Sequence, residues 1–361
     1  MENELHKLLI QETPFLDVRA EIEYLQGAMP TSVNLPILND QERHEVGTCY
    51  KQQGSAAATK LGHQLVSGNR RDQRISNWSE FLTAQPDAHL YCWRGGQRSE
   101  IAQSWLKDAG FDIPRVNGGY KALRRCLLSR FEQIPQLIVV SGYTGVGKTD
   151  FINQFSESID LESLAHHRGS AFGKRVSPQP AQANFENMLA IDLLKKRAEG
   201  SLFVEDESRL IGRIQVPHLF KNAMDAAGIV VLQDSLEQRV ERILQDYIVV
   251  QFDDFTIEYG DEALEHLSNQ LLAATDGIKR RLGGVNHKTV RDMVESALVQ
   301  HAANDIQGHK SWIEFLLAHY YDPMYRYQLE QKSDRIVFTG TWDEISQWHN
   351  RNAGDIRGNP D

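Results

Sequence analysis

The chain has 361 residues, 41% of them hydrophobic and 24% charged, with a formal net charge of −10. That length exceeds one ordinary domain and that apolar content supplies real cores, which excludes a single small fold and a disordered chain. The acidic balance argues against indiscriminate nucleic-acid binding and leaves room only for RNA held on a local basic patch. Residues 1–136 carry 16 Lys and Arg against 16 Asp and Glu, so the whole acidic excess lies in residues 137–361.

In chain order, the acidic start Met-Glu-Asn-Glu-Leu-His-Lys reads as no signal peptide, and no later stretch reads as a membrane span. Residues 14–19, Pro-Phe-Leu-Asp-Val-Arg, read as a short strand ending in a polar turn. Residues 21–25 read as a helical turn broken by Gly27-Ala-Met-Pro30, with an extended path resuming over 32–36. Residues 41–66 are polar and alanine-rich, with helical spacing over 56–65. A strand over 88–91 runs straight into Cys92-Trp-Arg94-Gly-Gly-Gln-Arg98-Ser99. Ile101, Ala102, Trp105 and Leu106 then share one face of a helix stopped by Gly110. Residues 113–116 return to the sheet, and Asn117-Gly-Gly-Tyr120 turns into a last helix over 121–130.

The strand, cysteine, glycine loop and helix form an anion cradle. A sulfur at its mouth faces backbone N–H groups, a helix N-terminus and the guanidinium groups of Arg94 and Arg98, each of which favours a thiolate. The alternative is an inert thiol at a strand end. For Cys49 and Cys126 the inert reading is preferred, because neither has a glycine loop behind it. Three sparse cysteines make no disulfide framework and fit a reducing cytoplasm. The order of Leu16-Asp17-Val-Arg19, Gly27-Ala-Met-Pro30, the Cys92 loop and Asn117-Gly-Gly-Tyr120 resembles rhodanese-like domains, an α/β family whose cysteine carries a transferable chalcogen. The loop departs from the usual shorter one. Cys92 to Arg98 has the C-x5-R spacing of cysteine phosphatases, although Tyr91 stands where their histidine precedes the cysteine. Such a loop suits a larger anion, phosphate or selenophosphate.

The second domain is expected over 133–361, after a first over 1–132. It opens on Leu137-Ile-Val-Val-Ser-Gly142-Tyr-Thr144-Gly145-Val146-Gly147-Lys148-Thr149, an apolar strand followed by the G-x-x-x-x-G-K-[ST] pattern. Its glycines let successive N–H groups face a phosphate, Lys148 reaches the outer phosphates and Thr149 ligates Mg²⁺. Residues 161–173 form a glycine-punctuated basic loop that either folds over bound phosphates with Arg168 supplying charge or is an ordinary connection. Residues 182–195 form an amphipathic helix. The strand at 202–204 runs into Glu205-Asp206-Glu207-Ser-Arg, where Glu205 and Asp206 are both candidates to organise Mg²⁺. Another strand is expected over 228–232, then a charged helix over 235–247 with Arg239 and Arg242 on one side. Residues 253–265 read as a solvated acidic segment. Lys279-Arg280-Arg281, followed by His287, Lys288 and Arg291, is the best RNA-backbone patch, or merely a solvated helix face. Tyr320-Tyr-Asp-Pro-Met-Tyr-Arg-Tyr327 is dense in rings that would stack on a base, line a ligand pocket or pack a helix junction. A strand near 335–339 and a capping-box helix close the chain, with a polar, frayed final dozen residues.

Both sites together resemble the tRNA 2-selenouridine synthase family, a rhodanese domain fused to a P-loop domain. The strings carrying this resemblance are those at 92–99, 47–54 (Gly-Thr-Cys-Tyr-Lys-Gln-Gln-Gly), 142–149, 167–173, 204–209 and 321–325 (Tyr-Asp-Pro-Met-Tyr). The resemblance implies an α/β rhodanese-like domain, then an α/β P-loop domain with a mainly helical C-terminal portion. It implies a cytoplasmic transferase that replaces sulfur by selenium in wobble-position 2-thiouridine of tRNA. Selenophosphate from a supplying enzyme is the donor, and geranyl diphosphate the source of an S-geranyl intermediate. No cofactor is expected to be tightly bound, Mg²⁺ is a candidate ion at the phosphate loop, and no membrane is involved. On this view Cys92 carries or orients selenium. The competing classes are an ATP- or GTP-dependent kinase-like enzyme with a regulatory first domain, and a non-catalytic adaptor.

Overall fold

The structure, a computed structural model, describes residues 2–196 and 201–352. The expected frayed end at 353–361 lies outside the described residues. The chain forms two compact units, residues 1–133 with 181–195, and residues 134–180 with 196–361.

In the first unit, strands β1 (Phe15–Asp17), β2 (Ser32–Asn34) and β3 (His89–Tyr91) form a parallel sheet in the order β2-β1-β3. Parallel neighbours need crossovers, and helices supply them. The Asp40–Leu65 helix starts at a capping box, with Asn39 Oδ1 accepting from Glu42 N and Glu42 accepting from Asn39 N, both at 2.8 Å. It kinks at Gly54. The Asn69–Ala84 helix has no counterpart in the sequence reading; its Trp78 is fully buried and donates Nε1–H to Leu35 O at 2.9 Å. The Gln182–Lys195 helix, expected in the second domain, groups with this unit. Asn184 Oδ1 accepts from Ala28 N, and Asn187 Nδ2 donates to Ala28 O, each at 2.8 Å.

Asp17 and Arg19, read as a polar turn, are instead wholly buried and paired at 2.6 Å. The Arg19 guanidinium also donates to Gly27 O at 2.8 Å and lies 4.1 Å from the Tyr120 ring centroid. Truncating one partner of such a pair strands the other charge in the core. Asp17→Ala is therefore expected to destabilise the first unit by about 3–5 kcal/mol, read as a lower urea midpoint at unchanged slope.

In the second unit, β4 (Leu137–Gly142), β5 (Ser158–Ile159), β6 (Leu202–Glu205), β9 (Gly228–Leu232) and β10 (Ile336–Gly340) form a parallel sheet in the order β10-β9-β4-β6-β5. The short hairpin β7 (Leu210–Ile211) and β8 (Ile214–Gln215) stands apart from it. All six β4 residues are buried, as an apolar run in a central strand must be. From β4 the chain passes to β5 at one edge, returns to β6 between them, and then crosses to β9 and β10 on the other side. The carboxyl end of β4 is thus a topological switch point, where open α/β sheets bind ligands. Helices from Leu236–Leu244 to Asp322–Glu330 pack around a second core that includes Leu267, Val290 and Trp312. The Trp342–Asn352 helix follows β10, capped by Glu344, which accepts from Thr341 N at 2.7 Å.

Candidate active sites

Cys92 follows β3 directly and is buried, with Sγ 3.3 Å from Ser99 Oγ. The loop that carries it is clamped from outside: Tyr120 N donates to Cys92 O and Lys121 N to Trp93 O, at 2.9 and 3.0 Å. The cysteine lies on a cleft of about 710 Å³, walled across from the loop by the Asp40–Leu65 helix, including Gly47, Tyr50 and Lys51. The two loop arginines differ. Arg94 is exposed and makes no ion pair among the described residues. Arg98 forms a two-pronged pair with Glu23 at 2.5 and 3.1 Å, and Arg43 joins the same carboxylate at 3.2 Å. Burial raises the Glu23 carboxyl, but the hydrogen bond and charge of Arg98, aided by Arg43, hold it below its ordinary value. Arg98 is thus committed to a carboxylate, unlike the free arginine a phosphatase needs to grip its phosphate dianion.

The phosphate loop leaves β4 and enters a short helix, Lys148–Ile152. Gly145 and Gly147 have φ of 80° and 82°, values that favour glycine. A Cβ at Gly145 would lie 2.9 Å from Arg239 O, and one at Gly147 2.9 Å from Arg242 Nε. The Leu236–Leu244 helix staples the loop. Arg239 Nε donates to Thr144 O at 2.9 Å and Arg242 Nη1 to Gly145 O at 2.6 Å. Asp322 holds the far side of Arg239, with Nη1 donating to Oδ2 at 3.0 Å. These outward carbonyl contacts leave the amides of Thr144, Gly145 and Gly147 without an acceptor among the described residues, the arrangement of an anion nest. Val146 is buried beneath the loop.

Lys148 is surrounded by acids. Burial lowers its pKa, but Tyr325, Glu207, Glu162 and Glu205 together raise it above the ordinary value. Its Nζ lies 5.8 Å from the Tyr325 ring centroid. Thr149 Oγ1 donates to Glu205, which is fully buried and also accepts from Glu162 N at 3.2 Å. Burial, then Glu162, pushes Glu205 to about 8; burial, then Glu207, pushes Glu162 to about 8; burial, then Glu205, pushes Glu207 to about 7. Among the described residues no group of three His, Cys, Asp or Glu forms a metal cage. Mg²⁺, however, is ordinarily held by one or two protein oxygens plus substrate phosphates. Thr149 and Glu205 fit that pattern, beside carboxyls whose ionisation a dication would favour.

Raised carboxyl values carry a sign. Against the ordinary 4.5, the folded metal-free chain holds extra protons between about pH 4.5 and 8, so this cluster's contribution to stability falls as pH rises through that window. Melts in EDTA at pH 5.5 and 8 are expected to show a lower Tm at pH 8, with Glu207→Gln flattening the difference. An equal pH dependence in wild type and variant would contradict the cluster's part in it.

Residues 135–355 match the family model for the tRNA 2-selenouridine synthase AAA domain, and residues 1–126 the model for the rhodanese-like domain. The tRNA 2-selenouridine synthase of Shewanella frigidimarina is 47% identical over 353 residues, covering 96% of each chain. That of Pseudomonas syringae pv. syringae is 48% identical over 345 residues, covering 94% of each. The chain belongs to the tRNA 2-selenouridine synthase family. It is an enzyme built from a rhodanese-like α/β unit and a P-loop α/β unit with a largely helical C-terminal portion.

Within this family member, the two acids offered for Mg²⁺ part company. Glu205 meets Thr149, whereas Asp206 is bound by Lys332 at 2.7 and 2.8 Å and by Ser141 Oγ at 2.7 Å. Burial raises Asp206, but Lys332 and Ser141 hold it below its ordinary value, so its charge is already matched. The loop read over 161–173 opens with a helix, Leu161–Ala165. Beyond it, Arg168 Nη1 donates to Gln251 Oε1 at 2.6 Å, and its guanidinium lies 5.6 Å from the Tyr247 ring centroid. Gly169 abuts the Glu162 and Glu207 carboxylates, so the loop borders the phosphate site while the arginine itself is anchored to the helices. Lys279, Arg280 and Arg281 are exposed on a four-residue helix. In the rest of that patch His287 is hydrogen-bonded to Asp276 at 2.8 Å, and the charges of Arg291 and Lys288 are matched by Asp276 and Asp292.

The sequence reading missed Glu162 and Glu207 beside Lys148, and the stapling role of Arg239 and Arg242. Only the arginines left a signal, a spacing of three on one helix face. The 321–325 string is absorbed into the site: Tyr321 is buried, Asp322 grips Arg239 and Tyr325 neighbours Lys148. No described helix is long and apolar enough to cross a membrane.

Proposed function

We propose that the enzyme replaces sulfur by selenium in 2-thiouridine at the wobble position of tRNA, in a reducing cytoplasm, with selenophosphate from a supplying enzyme as donor. An S-geranyl intermediate made from geranyl diphosphate precedes the exchange. The observation that carries this reading is the pairing, in one chain, of a stapled anion nest around Lys148 with a buried cysteine on a roomy cleft.

In the first step the thiocarbonyl sulfur attacks C1 of the prenyl diphosphate. The C–O bond breaks, diphosphate leaves with the electron pair, and the base N3 proton passes to solvent. The loop amides and Lys148 hold the departing charge. Thr149 and Glu205 would hold Mg²⁺, which supplies further neutralisation of that charge. S-alkylation turns the sulfur into a leaving group and makes C2 electrophilic. In the second step selenium of the donor forms a bond to C2 as the C2–S bond breaks, and prenyl thiol departs with a proton from solvent. Water then cleaves the Se–P bond to release phosphate, so the exchange is redox-neutral. Cys92 and Arg94 orient the donor, and Arg98 acts through Glu23 to hold the loop. Lys279, Arg280 and Arg281 contribute contacts to the RNA backbone, screened by salt.

The test is mass spectrometry of nucleosides from 2-thiouridine tRNA incubated with the pure enzyme and geranyl diphosphate, selenophosphate, both, or ATP alone. Geranylated uridine in the first mixture and selenated uridine in the third are expected. Unmodified tRNA in every mixture, with steady ATP consumption, would overturn the reading in favour of a kinase-like enzyme.

A further inference from the structure

Residues 166–175, His-His-Arg-Gly-Ser-Ala-Phe-Gly-Lys-Arg, hold two histidines, two arginines and a lysine and no acid. They fold back on themselves: His167 pairs antiparallel with Lys174, and Arg168 N donates to Gly173 O at 2.9 Å. The hairpin draws Arg168 and Arg175 into one another's field. Helices of the second unit hold it still. Phe172 is buried and stacks on Trp312 with ring centroids 5.5 Å apart, Ser170 Oγ lies 3.1 Å from Tyr247 OH, and Gln270 Nε2 donates to Lys174 O at 2.8 Å.

Its charges are unmatched. The Arg168 side chain gives one hydrogen bond, to the neutral Gln251 amide. Arg175 is half-buried and makes no hydrogen bond or ion pair among the described residues, with its Nε wholly enclosed. Burial, and then Arg175, push the Arg168 guanidinium below its ordinary value; Tyr247, Asp246 and Asp254 oppose this, and neither aspartate comes within ion-pair distance of it. Gln251, 1% exposed, leaves Nε2 without an acceptor beside Arg168, and His167, 8% exposed, leaves Nδ1 without a partner. Two partly desolvated guanidinium groups held together and short of acceptors are costly unless something outside the fold supplies the acceptors. An oxyanion with several acceptor oxygens does so.

The place of the hairpin says which oxyanion. A Cβ at Gly169 would lie 2.8 Å from Glu207 Oε1, so the tip abuts the acids around Lys148. A diphosphate at the phosphate loop already meets the loop amides and Lys148, while the arginines are held toward the helices by Gln251. An RNA that presents a base to that loop carries a backbone phosphate on either side of the base, and the hairpin stands where one of them passes. We infer that the 166–175 hairpin grips a backbone phosphate of the substrate RNA, beside the nucleotide presented to the phosphate loop, through Arg168 and Arg175. The inference rests on the reading above that the RNA is alkylated at that loop, and it adds the contact that sets the strand there. It is separate from the exposed Lys279-Arg280-Arg281 patch, whose charges are not enclosed by the fold.

The experiment measures binding of 2-thiouridine tRNA, over a series of salt concentrations, and separately of geranyl diphosphate, to the full-length enzyme. Arg175→Gln is expected to weaken tRNA binding roughly 10- to 100-fold, the loss of a hydrogen bond to a charged group. It should also flatten the slope of log affinity against log salt by about 0.7 to 0.9, the signature of one lost phosphate contact. Geranyl diphosphate should bind as to wild type. Arg175→Lys keeps a point charge and should keep the salt slope. The unliganded Arg175→Gln protein should melt no lower than wild type, because the side chain it loses has no partner in the fold. A wild-type salt slope in Arg175→Gln overturns the inference, whether or not Tm falls. Weaker geranyl diphosphate binding with an unchanged tRNA slope also overturns it and assigns the hairpin to the prenyl donor. Both readouts are of binding, so the site and the reaction fail separately. An enzyme that transfers no geranyl group yet loses the slope on Arg175→Gln supports the site and refutes the reaction. Wild type that binds no tRNA overturns the site.

Discussion

Lys148→Ala is expected to slow S-geranylation of 2-thiouridine tRNA by about 100- to 1,000-fold, the range for removing one preorganised donor from a developing anion. The structure gives this residue an unusual load. Its ammonium is the cation set among Glu162, Glu205 and Glu207, whose carboxyls are pushed up to between about 7 and 8 by burial and by one another. Removing it takes away the charge that meets the diphosphate and the charge that tempers this cluster. The defect should therefore be larger at pH 8 than at pH 6, because more carboxylate is ionised there to repel the substrate. Selenation of RNA that already carries the geranyl group should stay within about twofold of wild type, since that step uses the other unit. Single-turnover geranylation at both pH values, beside selenation of pre-geranylated RNA, separates these effects. Geranylation at wild-type rate would remove the phosphate loop from the reaction.

The contrast between what the sequence displays and what it hides follows from the range of the interactions. The phosphate loop is legible because one strand, three glycines, a lysine and a threonine act within thirteen consecutive residues. The cysteine loop is legible for the same reason. Glu23 pairs with Arg98 across 75 positions, and Asp322 with Arg239 across 83, and no local pattern announces either. Glu205 and Asp206 are adjacent and chemically alike; only Lys332, 126 positions away, tells them apart. Asp17 and Arg19 mislead for a different reason. Polar residues after a strand ordinarily mark a turn, and here each buries the other's charge. The Asn69–Ala84 helix was readable in principle, for Ile75, Trp78 and Leu82 recur at helical spacing. Its otherwise charged and polar sequence masks that narrow apolar stripe.

Cys92→Ala is expected to reduce selenation of S-geranyl-2-thiouridine RNA at least about 100-fold, a loss comparable to that of one preorganised catalytic contact, while geranylation proceeds at wild-type rate. The loop should survive the change. Its conformation is set by the backbone bonds of Tyr120 and Lys121 to Cys92 O and Trp93 O, and by Ser99 Oγ donating to Gly96 O at 2.8 Å, none of which uses the thiol. Loss of one sulfur costs about 1 kcal/mol of stability, the middle of the range for single substitutions, so an inactive but folded protein is the expected product. Cys92→Ser sharpens the test. A hydroxyl restores a hydrogen-bonding group next to Ser99 but not a soft, polarisable sulfur. Recovery of activity in the serine variant would mean that the residue only orients the donor through hydrogen bonds, whereas equal loss in both variants ties the reaction to sulfur itself. Wild-type selenation by Cys92→Ala would leave the cleft as a binding site alone and move the chemistry of the exchange to the donor and the activated base.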